Sequence, residues 1–126
     1  MQKVFLSLDD CTLGYLVQSE NGYIFHADKE GINNACALNS LKMKFFTLNR
    51  SGMKEYTEIP NHFIQYLDGV DREDIIEEAN IYEDDNLFVK LYKIAGLNHN
   101  VINFKISNFQ IFKRFKIFSE NIRVFL

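Results

Sequence analysis

The chain has 126 residues, of which 47% are hydrophobic and 25% charged, with a formal net charge of −3. That length suits one domain burying roughly two thirds of its unfolded surface, and the apolar content excludes wholesale disorder. No apolar run approaches the ~20 residues that span a bilayer, the first ten residues turn acidic too early for a secretory signal, and Cys11 and Cys36 make no disulfide framework, so a cytoplasmic protein is expected.

Charge is unevenly placed. From Val101 onward, Lys105, Lys113, Arg114, Lys116 and Arg123 face the single acid Glu120, giving 5 − 1 = +4. The rest of the chain therefore carries −3 − 4 = −7. An acidic body precedes a basic, Phe-rich tail.

The first half reads as strands. Lys3 to Leu8 is rich in β-formers, and Asp9-Asp10 supplies a turn because Asp side chains bond nearby backbone amides. Thr12 to Gln18 follows, with Leu13, Tyr15 and Val17 alternating onto one face. Asn21-Gly22 is the strongest hairpin signal, since both residues tolerate the positive φ of a type I′ turn, and Tyr23 to Ala27 completes that hairpin. Asp28 to Ala37 has no clear period and reads as a loop or short helical turn. Leu41 to Phe45 alternates apolar with basic, as a half-solvated strand does.

The second half reads as helices. Pro60 sits where a first turn tolerates a missing N–H, and Phe63, Ile64 and Leu67 share a face ending near Gly69. Asp71 is placed to cap a second helix with Ile75, Ile76 and Ala79 as its stripe. Asp84 or Asp85 is placed to cap a third, in which Leu87, Phe88, Leu91, Ile94 and Ala95 recur at helical spacing before Gly96. Phe63, Leu67, Phe88 and Leu91 are expected to be buried together. In the tail, residues 101–107 suit a strand, whereas 108–126 fit helix and strand alike. The expected fold is α+β: an N-terminal antiparallel sheet or small, partly open barrel, two to three short helices, and a C-terminal strand or helix tail. Without repeat or linker, residues 1–126 form one domain.

Chemistry-bearing patterns are sparse. His26, His62 and His99 have no second ligand at a familiar metal spacing, and the glycines stand singly instead of forming a phosphate loop. Nothing in the spacing supports a Cys36–His62 pair. The acids from Asp68 to Asp85 lack the odd-position donors and central Gly of an EF-hand and suit helix capping and a solvated face. No catalytic residue, metal or cofactor is expected. A basic tail with interleaved Phe can stack on bases and hold phosphates, but the acidic body would repel a nucleic acid backbone. Direct nucleic acid binding and a small enzyme of unrecognised type are the alternatives to a protein-binding module.

Three stretches resemble the N-terminal subdomain of the HipA family of serine/threonine kinase toxins. Val4-Phe5-Leu6, Gly14-Tyr15-Leu16 and Asn21 to Phe25 are similar to its opening strands. Ala37 to Met43 resembles its "P-L-S-L-S-L-P" strand. His62 to Gly69, Asp84 to Phe88 and Ala95-Gly96 resemble "F-F-x-N-L-L-P-E-G", "D-D-P-F-x-L-L" and the closing glycine. The likeness covers about residues 3–107, and the family's prolines near Leu38, Asp68 and Asn86 are absent. Kinase residues are absent too. The resemblance therefore implies an antitoxin-like subunit, as in the stand-alone HipS-like proteins. Such a subunit docks on a HipT-like kinase partner, with a DNA-binding HipB-like protein as a further partner, away from any membrane. The expected contacts are the loop from Asn49 to Pro60, His62, Gln65, Tyr66 and Asp68, with Lys113, Arg114 and Lys116 of a tail that also offers a route to homo-oligomers.

Overall fold

The computed structural model describes residues 1–68, 72–97, 100–101 and 104–110. They form an α+β fold built on one antiparallel sheet. The strands are β1 (Val4–Leu8), β2 (Cys11–Ser19), β3 (Gly22–Ala27), β4 (Met53–Tyr56), β5 (Asn100–Val101) and β6 (Phe104–Ser107). Their order is β4-β3-β2-β1-β6-β5, so the sheet is open at both ends instead of closing into a barrel. Between β3 and β4 lie α1 (Lys29–Leu38) and α2 (Ser40–Met43). After β4 come α3 (Asn61–Ile64), continued by a 3₁₀ turn (Gln65–Leu67), then α4 (Glu73–Ala79) and α5 (Leu87–Ala95).

The hairpin between β1 and β2 closes through Asp9 and Asp10, with φ +47° and +67°. Two left-handed residues between the paired Leu8 and Cys11 make the type I′ loop whose twist matches the strands. The Asn-Gly signal is used differently. Ser19 pairs with Gly22, so the second loop is Glu20-Asn21 and Gly22 opens β3.

Strict alternation from Leu13 fails at a β-bulge. Leu6 pairs with Gly14 but Ser7 pairs with Thr12, leaving Leu13 extra on β2. A one-residue insertion sends every later side chain to the other face. Leu13 and Leu16 therefore enter the core, while Tyr15 and Val17 lie on the opposite face. The bulge also receives α1. Asp28 donates its backbone N–H to the Leu13 carbonyl at 2.9 Å, and its carboxylate accepts the Gly31 N–H at 2.9 Å as the N-cap. A Cβ on Gly31 would stand 1.7 Å from the Thr12 carbonyl oxygen, so only glycine lets the helix come this close.

The stretch from Asp28 to Ala37, expected as a loop or short helical turn, thus lies in a ten-residue helix, Lys29–Leu38, capped by Asp28. Leu41 to Phe45, expected as a strand, winds helically from Ser40 through Met43 into successive tight turns. The stretch likened to a family strand, Ala37 to Met43, is therefore helical too, and the strand that pairs with β3 is β4, which the hydropathy pattern hid. Helix α5 is capped by Asn86, whose side chain accepts the Val89 N–H at 2.9 Å, and not by Asp84 or Asp85. Asp85 instead accepts the Tyr82 N–H and the Lys93 ammonium, and Lys93 holds its carboxyl below the usual carboxylate range. The proposed Asp71 cap lies outside the described residues.

The helices cover one face of the sheet. Phe63, Leu67, Phe88 and Leu91 are buried together, as their spacing predicts. The Phe25 ring lies 6.1 Å from Phe63 and 6.4 Å from Phe46 at the centre of this layer. Cys11 is buried and Cys36 half-buried.

Two substitutions test this geometry. Alanine on an open helix is favoured over glycine by ~1 kcal/mol, but at Gly31 the new methyl meets backbone, and overpacking of that kind costs ~1–3 kcal/mol. Gly31→Ala should therefore lower the urea-unfolding free energy, and an increase would contradict the α1 docking. Asp10→Gly should raise it by up to about 1 kcal/mol, because glycine removes the left-handed penalty at the second turn position.

Candidate interaction surface

The α1–α2 corner carries three large apolar side chains in water. Leu38, Leu41 and Phe45 are 76%, 70% and 66% exposed. Leu41 and Phe45 sit one turn apart on the helical winding, while Met43 and Phe46 turn inward and are buried. Lys42 and Lys44 flank them. The corner is tied to the sheet by Asp9, whose carboxylate accepts the Asn39 side-chain amide and lies 3.7 Å from the Lys42 ammonium. On the other side, Arg50 donates to the Met43 carbonyl and the Cys36 Sγ, both at 3.3 Å, and its guanidinium lies 5.6 Å from the Phe46 ring centroid. Contiguous exposed apolar surface is what marks an interaction site, which makes this corner, with three such side chains within eight residues, the candidate.

Arg50 leads into β4, which lies within the expected contact loop from Asn49 to Pro60. Among the described residues β4 has a strand neighbour on one side only. Such an edge offers backbone donors and acceptors to an incoming strand. Lys54 and Glu55 give it the charges that discourage indiscriminate pairing.

The remaining expected contacts divide. Asp68 is exposed, and Gln65 is half-buried with its amide donating to the His62 carbonyl at 3.2 Å. His62 and Tyr66, expected as exposed contacts, are instead buried. Their rings pack and their polar tips find partners inside. The Tyr66 hydroxyl donates to the Phe104 carbonyl, binding the 3₁₀ turn to β6. His62 lies against Phe46 and Phe104, with ring centroids 5.6 and 4.7 Å away, and its Nε2 accepts the Thr47 N–H at 3.1 Å. Lys113, Arg114, Lys116 and His99 lie outside the described residues.

Sequence reasoning missed the corner because its only signal, leucine and phenylalanine between lysines, reads equally as a half-buried strand. The described histidines do not converge: His26 stacks on Tyr15 on the face opposite the helices, away from His62. Among the described residues no three His, Cys, Asp or Glu side chains gather where a metal ion could be held, and no helix is long and apolar enough to cross a membrane. The chain matches no family model, no curated protein and no solved structure.

Burial lowers the His62 pKa below its ordinary value. A histidine neutral in the native state and free to protonate when unfolded makes the unfolded chain bind more protons around its reference pKa of ~6.5. Its contribution to stability is thus complete above that pH and is lost as the pH falls below it. Urea midpoints from pH 7.5 to 5 should decline, and His62→Gln, which keeps an acceptor for Thr47 without titrating, should flatten that decline. An unchanged slope in the variant would assign the pH dependence to other groups.

Proposed function

We propose that this chain is a non-catalytic protein-binding module, an antitoxin-like subunit that docks on and inhibits a HipA-type kinase. The observation that carries the binding reading is the exposed corner of Leu38, Leu41 and Phe45, anchored by Arg50 next to the open edge of β4. Apolar side chains this exposed cost nothing in the unbound chain beyond solubility, and they release bound water when a partner covers them. The kinase as the partner class rests on the resemblance in residues 3–107. An opening antiparallel sheet followed by short helices is compatible with it, although the helical 37–43 segment departs from it. Gln65 and Asp68 offer further polar contacts, and the basic tail residues Lys113, Arg114 and Lys116 complete the proposed set. A HipB-like protein and a second copy of the chain are further partners in this reading.

The test uses a HipA-type kinase that lacks its own N-terminal subdomain and is encoded beside this chain. Full-length protein should suppress its autophosphorylation. Leu41→Glu with Phe45→Glu should weaken that inhibition at least tenfold while leaving the melting temperature within a few degrees, as surface substitutions do. Undiminished kinase activity with the unaltered chain would overturn the reading.

A further inference from the structure

The described helices occupy one face of the sheet, and the second face has its own apolar centre. Phe5, Tyr15 and His26 stand side by side across β1, β2 and β3, and Val17 pairs with Ile24 beyond them. The Phe5 and Tyr15 rings are 5.5 Å apart, Tyr15 stacks on His26 at 4.5 Å, and the Lys3 ammonium lies 4.5 Å from the Tyr15 ring centroid. Val17 is only 4% exposed and Phe5 9%, with Ser107 beside Phe5 at 1%. Yet neither Phe5 nor Val17 belongs to the core cluster that contains the buried apolar side chains of the helices.

The path of the chain points to an occupant. β6 lies beside β1, Ser107 pairs with Phe5, and the Ser107 hydroxyl donates to the Phe109 carbonyl at 2.7 Å. The backbone therefore leaves β6 at the margin of this face. The last sixteen residues, 111–126, follow; nine are apolar, four of them phenylalanines. From β6 to β3 is three strand spacings, about 14 Å at ~4.8 Å each. Sixteen residues reach roughly 24 Å if helical and roughly 50 Å if extended. Length suffices in either form.

We propose that the second face of the sheet, centred on Phe5, Tyr15, Val17 and Ile24, is the docking surface for the chain's own C-terminal segment, residues 111–126. The segment's phenylalanines meet the apolar centre of the face, and Lys113, Arg114, Lys116 and Arg123 are interleaved so that charge remains for water. The inference draws on the sheet face opposite the α1–α2 corner and not on the kinase reading, although the two share Lys113, Arg114 and Lys116, whose charges are left facing water.

Trypsin provides the test on the full-length chain, because the segment contains four cleavage sites. Cleavage after Lys113, Arg114 and Lys116 should be at least tenfold slower than in a synthetic peptide of residues 109–126, and independent of protein concentration. Ile24→Glu, and separately Val17→Glu, should restore most of the peptide's rate while circular dichroism and cleavage after the exposed Lys44 stay unchanged. Cleavage of the unaltered chain at the peptide's rate overturns the proposal without any variant having to fold. Protection that rises with protein concentration assigns the face to a second copy and overturns it too, as does protection unaffected by Ile24→Glu in a folded protein.

Discussion

One extra residue on β2 governs the architecture. With the hairpin closed at Asp9-Asp10, an unbroken register would pair Val4 with Tyr15 and leave Leu16 on the far side. The bulge at Leu13 instead pairs Val4 with Leu16. Leu13 and Leu16 are thereby buried beneath the helices, and Phe25, paired with Leu16, follows them inward. The same disruption frees the Leu13 carbonyl to accept Asp28 and presents the Thr12 carbonyl to Gly31. Sheet register and helix docking are therefore one event, because a bulge re-aims side chains and releases ladder groups together.

The helical layer is completed by residues that are polar at one atom and apolar elsewhere. His62 and Tyr66 contribute rings to the packing beside Phe25, Phe46 and Phe104, and each spends its polar atom on backbone. A buried aromatic with a satisfied tip adds area at little desolvation cost. Asp85, Lys93 and Asn80 knit the turn before α5 in a related way: the Lys93 ammonium lies 2.6 Å from the Asp85 carboxylate and 2.8 Å from the Asn80 carbonyl. With so many polar groups turned inward or paired, the α1–α2 corner stands out for gathering three large exposed apolar side chains, Leu38, Leu41 and Phe45, within eight residues.

Periodicity and punctuation determined the class of the fold, the first three strands, the helical second half and the buried meeting of Phe63, Leu67, Phe88 and Leu91. These follow from local rules: alternation of two for strands, 3.6 for helices, and turn residues between them. Tertiary structure alone decided where those rules break. Five residues from Leu41 to Phe45 satisfy strand and helix patterns alike, and only the tertiary structure, in which Met53–Tyr56 is the strand paired with β3, shows them wound helically. Leu13, Tyr15 and Val17 alternate perfectly, yet a bulge divides them, because register is set by the partner strand and the turn. His62 and Tyr66 look like surface residues in a one-dimensional string. Their burial depends on Thr47 and the Phe104 carbonyl arriving from 15 and 38 residues away, and contacts at that separation leave no local trace.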